Sequence, residues 1–262
     1  MNAQRVAIGI DVGGTGIKGA AVDLDTAERL TTRHKVATPA GGAPAGIARE
    51  VGAMAAAILA EYIETRGADP ETSLPVGVTL PGVVRHGIMG TAANIDLSWI
   101  GTDAAALLSG AVGRPCLVVN DADAAGVAET AFGNPDDWRG TTLVLTFGTG
   151  IGAAFVIDGL LVPNFELGHL ELDGHPDIER YASAKVIERD GISLEEWAKR
   201  VNRYLSHLEL LLNPDRFVIG GSISKAADQY LPFPDVKVPV APARFRNDAG
   251  IIGAAWLAAD AE

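Results

Sequence analysis

The tetrapeptide Gly-Thr-Gly-Ile occurs twice in this sequence, at residues 14–17 and again at residues 148–151. Each copy lies between two apolar runs that are typical of buried β-strands, so each predicts a strand–turn–strand unit. Two copies of one supersecondary unit, one in each half of the chain, indicate an internally duplicated fold. Helical patterns over residues 44–66 and 194–212 alternate with the strands, as in an α/β protein.

The glycine-rich turns have the composition of phosphate-binding loops, because glycines let backbone N–H groups approach an anion closely. The first turn spans residues 11–16 and is followed by Lys18. Neither the P-loop pattern nor a dinucleotide-binding fingerprint fits, since a strand rather than a helix follows this turn. A third glycine pair, Gly220 and Gly221, follows a strand pattern and precedes a predicted helix. For each turn, an ordinary tight connection stays open as an alternative.

A polar cluster, Asn120-Asp121-Ala122-Asp123, follows an apolar strand over residues 115–119 and opens a helix over residues 122–132. Ligands of open α/β sheets bind at the carboxyl ends of strands, so Asp121 is a candidate for acid/base chemistry. Helix capping is the alternative, because Asn and Asp both cap helices well. Asp123 is equally consistent with a first-turn acid that the helix dipole favours.

A second polar cluster contains Glu166, His169 and Glu171. Carboxylates accept hydrogen bonds and an imidazole can donate them, so this cluster could bind sugar hydroxyls. The spacing is not that of a His-Glu-x-x-His metal site, and a solvated polar loop is the other alternative. Asn94 lies in a loop near Trp99, which suggests either a sugar contact or a turn. His175 is a weaker candidate.

Six basic residues and four acidic ones occupy the helical region from residue 180 to residue 203. The basic residues are Arg180, Lys185, Arg189, Lys199, Arg200 and Arg203. A solvated helical face is one interpretation, and a groove for a long phosphate chain is the other.

The formal net charge of −12 argues against general binding to nucleic acids or membrane surfaces, which requires a basic footprint. The single cysteine, Cys116, excludes an intrachain disulfide and a multi-cysteine zinc module. No apolar stretch reaches the length of a membrane span, and the first residues lack a secretory leader pattern, so we expect a cytoplasmic protein.

Together, the motifs at residues 11–15, 120–125, 148–152 and 166–169 resemble the ROK family of repressors and sugar kinases. The resemblance implies the actin-like ATPase (ribonuclease H-like) duplicated fold, with two lobes and a central cleft. Residues 1–119 would form a small N-terminal lobe joined by a C-terminal helix at 248–262, and residues 120–247 a larger C-terminal lobe. Within the family, residues 166–175 are similar to those of polyphosphate glucokinases and glucomannokinases.

The resemblance implies a role for each matching residue. Asp121 would be the general base that takes the proton from the sugar 6-hydroxyl. The sugar-binding residues would be Asn94, Asn120, Glu166, His169 and Glu179. One side of the phosphoryl donor would contact Asp11, Gly13, Gly14, Thr15 and Lys18, and the other side Thr149 and Gly150. We add Gly220 and Gly221 to the donor site from their position after a strand.

The implied cofactor is Mg²⁺, which Asp11 would approach through water, with no side chain coordinating the metal directly. Residues 173–181 contain no cysteine where the family carries its zinc motif, so we expect no structural zinc. The family's repressors carry an N-terminal helix-turn-helix, whereas the first strand pattern here begins near Arg5, so we do not expect a transcription factor. A homodimer is also implied.

The implied reaction is phosphorylation of glucose at the 6-hydroxyl, with inorganic polyphosphate as the donor and ATP as a further candidate donor. Mannose is an open alternative acceptor, because the sequence does not define the contact with the 2-hydroxyl. Two alternatives compete with this function: a strictly ATP-dependent glucokinase and a sugar sensor without catalytic activity.

Overall fold

A computed structural model describes residues 4–133 and 139–261 of the chain. The strands are β1 (Val6–Val12), β2 (Gly16–Asp23), β3 (His34–Ala37), β4 (Val76–Leu80), β5 (Val84–Arg85), β6 (Ile88–Met89), β7 (Cys116–Asn120), β8 (Thr141–Phe147), β9 (Ile151–Ile157), β10 (Leu160–Val162), β11 (Arg216–Gly221) and β12 (Val240–Pro242). The α-helices are α1 (Pro44–Arg66), α2 (Ala104–Val112), α3 (Asp121–Phe132), α4 (Glu179–Ala182), α5 (Lys185–Asp190), α6 (Leu194–Leu212) and α7 (Ala249–Asp260). The chain divides into two compact units, residues 1–128 with 248–262 and residues 129–247.

The first unit is built on a five-stranded sheet in the order β3-β2-β1-β4-β7. Strand β1 is antiparallel to β2 and parallel to β4. Side chains alternate between the faces of a strand, and Ile8 and Ile10 of β1 are buried in one core with Ile47 of α1. Gly9, between them, lies against the backbone of Ile251 in α7, where a Cβ atom would overlap the carbonyl group. Glycine therefore lets α7 pack directly on the sheet.

The second unit repeats this arrangement, with a sheet in the order β10-β9-β8-β11-β12. Strand β8 is antiparallel to β9 and parallel to β11, as β1 is to β2 and β4. Its core includes an edge-to-face chain of rings, with centroids 5.5 Å apart for Phe147 and Trp197 and 5.3 Å apart for Trp197 and Tyr230. The duplicated α/β fold predicted from the repeated tetrapeptide is confirmed.

The sequence pattern predicts a single helix over residues 178–189. The structure interrupts it, because Ser183 adopts an extended backbone conformation between α4 and α5. The carbonyl groups of Ala182 and Ser183 accept hydrogen bonds from the Trp197 indole N–H, at 2.9 and 3.2 Å. The last carbonyl groups of a helix lack partners within the helix, and here Trp197 supplies a hydrogen-bond donor to them. This contact stabilises the interruption between α4 and α5.

Two other local predictions were wrong. Residue type makes Thr102 a candidate N-cap of α2, but the cap is Asp103, whose carboxylate accepts the Ala106 N–H. The apolar pattern predicts a last strand over residues 236–240, but β12 begins at Val240, and the Lys237 N–H donates to the Glu209 carboxylate instead of to a strand. The helix predicted after Gly221 is a 3-10 helix, Ser222–Gln229. None of the helices in the described ranges is both long enough and apolar enough to cross a membrane.

Candidate active site

The first glycine loop, residues 13–16, connects β1 to β2. The Gly13 N–H donates to the Gly16 carbonyl at 3.0 Å, and the Thr38 hydroxyl donates to the Gly13 carbonyl at 2.5 Å. Gly14 and Thr15 are exposed, and no hydrogen bond found within the described ranges uses their N–H groups. Two backbone donors in exposed residues therefore lie at the place where the sequence predicts a phosphate contact.

Asp11 and Lys18 face each other across the β1–β2 pair. The Lys18 ammonium nitrogen lies 3.0 Å from Asp11 Oδ2, and the Thr79 hydroxyl donates to Asp11 Oδ1 at 2.8 Å. Both side chains are partly exposed. The structure thus brings two of the predicted donor-site residues together and fixes the Asp11 carboxylate from two sides.

Asn94 lies against the first glycine loop. A Cβ atom on Gly14 would overlap the backbone and side chain of Asn94, which has a φ of 61°. Asparagine tolerates this left-handed conformation, so a predicted sugar-binding residue is placed beside a predicted donor loop.

The sequence suggests an aromatic ring beside Asn94 at the site, but the Trp99 ring does not line the site. It is fully buried, and its indole N–H donates to the Gly42 carbonyl at 2.9 Å. It is a core residue and cannot stack on a sugar.

The start of α3 separates the roles of the three polar residues at positions 120, 121 and 123. The Asn120 amide oxygen accepts the N–H groups of Ala122 and Asp123 at 2.8 and 3.0 Å, so Asn120 caps the helix as the alternative interpretation proposed. Its amide nitrogen donates to the Gly82 carbonyl at 2.9 Å. Asp123 is only 1% exposed, whereas Asp121 is partly exposed. Of the two carboxylates, Asp121 is the one that a substrate can reach.

In the second unit, His169 is held between two carboxylates. Its Nδ1 atom lies 2.7 Å from Asp177 Oδ1, and its Nε2 atom lies 3.6 Å from Glu166 Oε2. The hydrogen bond to Asp177 raises the pKa of His169 and lowers the pKa of Asp177, and partial burial raises the pKa of Glu166. Sequence spacing pointed to Glu171 as the third member, but the structure supplies Asp177, for which no local pattern gave a signal.

The second glycine loop, residues 148–150, connects β8 to β9. The Gly148 N–H donates to the Gly150 carbonyl at 3.0 Å, and the exposed Thr149 lies between them. The next residue, Ile151, donates its N–H to Glu179 Oε2 at 3.0 Å. Glu179, predicted to bind sugar, is therefore brought to the predicted donor loop.

His169, Asp177 and Glu179 also form the one group within the described ranges whose ligand atoms lie close enough to hold a metal ion, within 4.8 Å of one another. These atoms already have protein partners, and the Arg180 guanidinium lies 2.9 Å from the second Asp177 oxygen. A metal would have to displace these partners to bind directly, so we interpret the group as a hydrogen-bonded network.

Of the two glycines at the end of β11, Gly221 is required by the backbone. Gly221 has a φ of 84°, and a Cβ atom there would overlap the carbonyl group of Phe147, its register partner in β8. The donor role of Gly220 and Gly221 stays a prediction.

His175, the weaker candidate for the sugar site, stacks on Tyr181 with ring centroids 3.8 Å apart.

The basic residues between positions 180 and 203 do not form an open cationic groove, because nearly all of them pair with carboxylates. The pairs are Arg180–Asp177, Arg189–Asp190, Lys199–Glu195, Arg200–Asp190 and Arg203–Asp173. Lys185 is exposed and has no ion pair within the described ranges. It is the member of the set that is available to an anionic ligand.

Comparison with known proteins decides the family. The ROK family profile matches residues 7–190. The chain belongs to the ROK family. It is 45% identical to a polyphosphate glucokinase of Mycobacterium tuberculosis (strain CDC 1551 / Oshkosh) over 253 residues, which cover 96% of this chain and 91% of that relative.

Solved ROK structures agree with this assignment. The inorganic polyphosphate/ATP-glucomannokinase from Arthrobacter sp. strain KM superposes with a TM-score of 0.84 and 49% identity, covering 98% of this chain and 100% of that one. A ROK glucokinase from Streptomyces griseus, solved with glucose and AMPPNP, gives a TM-score of 0.76 and 25% identity, covering 97% and 99%. The resemblance to polyphosphate glucokinases and glucomannokinases within the ROK family is confirmed.

Proposed function

We propose that this ROK protein transfers a phosphoryl group from inorganic polyphosphate to the 6-hydroxyl of glucose, and that ATP is a second donor. The observation that carries the proposal is the similarity, over nearly the whole chain, to a polyphosphate glucokinase and to a polyphosphate/ATP-glucomannokinase. The site residues described above supply groups suited to this chemistry.

The acceptor hydroxyl needs a base, because a sugar hydroxyl is a weak nucleophile at neutral pH. In our proposal this base is Asp121, the accessible carboxylate at the start of α3. Its Oδ1 atom accepts the Ala122 N–H at 2.9 Å, which orients the carboxylate. Asn120, whose side chain caps α3, places Asp121 at the strand end and retains an amide hydrogen for a sugar hydroxyl.

Sugar recognition is assigned to hydrogen-bonding side chains that match the family's sugar-binding residues. These are Asn94, Asn120, Glu166, His169 and Glu179. Glu166 and His169 are exposed, so their polar atoms are available to hydroxyl groups. Their mix of acceptors and donors suits a polyol, which needs both.

Donor binding is assigned to the two glycine loops, because phosphoryl transfer depends mainly on positioning and charge neutralisation. The exposed N–H groups of Gly14 and Thr15 suit phosphate oxygens, as does Thr149 in the second loop. Lys18 supplies positive charge, and its contact with Asp11 orients it.

The implied Mg²⁺ ion fits the chemistry of Asp11. Each Asp11 oxygen accepts one hydrogen bond and retains further acceptor capacity, which a metal-bound water can use. Oxygen groups and water are the ligands that Mg²⁺ prefers. When bound, Mg²⁺ neutralises charge on the phosphate oxygens. Asp11 would hold the hydrated ion near the first glycine loop.

Initial rates of glucose 6-phosphate formation with purified polyphosphate, ATP and GTP test the proposal directly. We expect turnover with polyphosphate and, at saturation, with ATP. Turnover with ATP alone would favour a strictly ATP-dependent glucokinase. Glucose binding without phosphorylation from any donor would favour a sugar sensor. Mannose in the same assay tests whether the 2-hydroxyl matters.

The homodimer and the cytoplasmic location also belong to the proposal. Leu210 and Leu211 near the end of α6 are 79% and 56% exposed, which supports an apolar surface available for self-association. Light scattering of the purified chain should give twice the 27.2 kDa mass of one chain. Cell fractionation tests the location.

A further inference from the structure

The second glycine loop is held at both of its ends by one short segment of the chain. At one end, the Lys185 N–H at the start of α5 donates to the Gly148 carbonyl at 3.1 Å. At the other end, Glu179 at the start of α4 accepts the Ile151 N–H through Oε2 at 3.0 Å. The loop position therefore depends on α4 and α5 as well as on its own strands.

The Glu179 carboxylate fills space that two glycines leave open. A Cβ atom on Gly150 would overlap Glu179 Oε2. A Cβ atom on Gly168, in the segment that carries Glu166 and His169, would overlap the Ile151 carbonyl and lie 3.3 Å from the same Glu179 oxygen. One carboxylate oxygen is thus in contact distance of the donor loop and of the proposed sugar-binding segment.

We propose that Glu179 is a positioning residue that couples the donor loop to the sugar-binding segment. This inference rests on the proposed function. Glu179 Oε2 accepts the Ile151 N–H at the donor loop, and in this proposal Oε1 contacts the sugar. Because both oxygens belong to one rigid carboxylate, a substitution at Glu179 alters donor binding as well as sugar binding. A residue that contacts only the sugar would alter glucose binding alone.

Asp177 provides the matched control, because it lies two residues earlier and contacts His169 and Arg180. Within the described ranges the Asp177 side chain forms no hydrogen bond or ion pair with residues 148–151. Asp177→Asn should therefore change the KM for glucose and leave the KM for ATP unchanged.

The experiment measures the KM for ATP at saturating glucose and the KM for glucose at saturating ATP, and repeats both with polyphosphate. We expect Glu179→Ala to raise the KM for both donor and glucose by about tenfold, since a hydrogen bond to a charged group is lost. Glu179→Gln, whose amide oxygen can still accept the Ile151 N–H, should restore the donor KM in large part. Gly150→Ala, which displaces the carboxylate, should reproduce the effect of Glu179→Ala.

The possible outcomes separate the two proposals. If the wild-type protein does not phosphorylate glucose with any of the donors tested, the proposed function is wrong. An active wild type with an unchanged donor KM in Glu179→Ala overturns the coupling role. Circular dichroism checks folding. If Glu179→Ala does not fold, the glucose KM of Gly150→Ala decides the question, because Gly150 lies in the donor loop and the coupling predicts a raised glucose KM, whereas an unchanged glucose KM overturns it.

Discussion

The Nδ1 atom of His169 lies 2.7 Å from the Asp177 carboxylate, whose second oxygen lies 2.9 Å from the Arg180 guanidinium. An ionised carboxylate only accepts hydrogen bonds, so Nδ1 carries the proton and donates it. This contact orients the imidazole and leaves Nε2 facing Glu166. A residue that sequence spacing did not single out therefore sets the geometry of a predicted sugar-binding histidine.

This contact predicts a pH dependence of stability. The pKa of His169 is raised, first by the hydrogen bond to Asp177 and also by the charges of Glu179 and Glu166. A raised histidine pKa stabilises the folded state fully below the ordinary value of 6.5, and the contribution is lost as pH rises through the raised value. The lowered pKa of Asp177 keeps the carboxylate ionised throughout this range.

We therefore expect Asp177→Asn to reduce the free energy of unfolding more at about pH 6 than at about pH 9. The difference should be about 1 kcal/mol or less, because His169 is more than half exposed and solvent screens the pair. Urea unfolding at both pH values measures it. Arg180→Gln is the control, since the arginine stays charged and its loss should cost the same at both values. An equal effect of Asp177→Asn at both pH values would contradict the assignment.

The proposed base predicts a selective loss of turnover. Asp121→Asn should lower kcat by about 10²- to 10⁴-fold, the usual contribution of a general base, with the glucose Kd largely unchanged. Calorimetry for binding and a coupled assay for turnover measure the two effects. Asp123→Asn is the control, because Asp123 is buried beside it in α3. Near-wild-type kcat in Asp121→Asn would remove the base role.

Lys185 predicts a difference between donors. Lys185→Gln should raise the KM for polyphosphate by about threefold at low salt, with a smaller effect as salt screens the exposed charge. Lys199→Gln removes an equal charge from the same region, but Lys199 is paired with Glu195, so it should change the KM less. Polyphosphate titrations at two salt concentrations measure both. Equal effects of the two substitutions would argue against a specific role for Lys185.

The close contact of Gly9 in β1 with α7 predicts that glycine-to-alanine substitutions change stability in opposite directions at two positions. Gly9→Ala should destabilise the fold by about 1–3 kcal/mol, because the added methyl group overlaps the Ile251 carbonyl. Gly110→Ala in α2 should stabilise it by about 0.5–1 kcal/mol, since nothing lies within 4 Å and alanine favours a helix. Thermal unfolding compares them. Similar melting temperatures for the two variants would contradict this packing.

The elements that depend on local periodicity could be predicted from the amino-acid sequence. The duplicated strand–turn–strand units and the bounds of α1 and α6 follow from the spacing of apolar residues, which acts over a few positions. The strand-to-helix location of Asp121 follows for the same reason. The break at Ser183 was missed, because its stabilising partner, Trp197, lies more than ten residues away.

Which polar side chains meet, and which of them solvent can reach, depends on how the chain packs. It buried Asp123 and Trp99, left Asp121 accessible, paired His169 with Asp177, and set Glu179 against the second glycine loop. Residue type fixes what a side chain can donate or accept, and so the sequence could nominate candidates. Their partners come from distant positions that meet only when the chain packs, and burial and hydrogen bonding then select among the candidates.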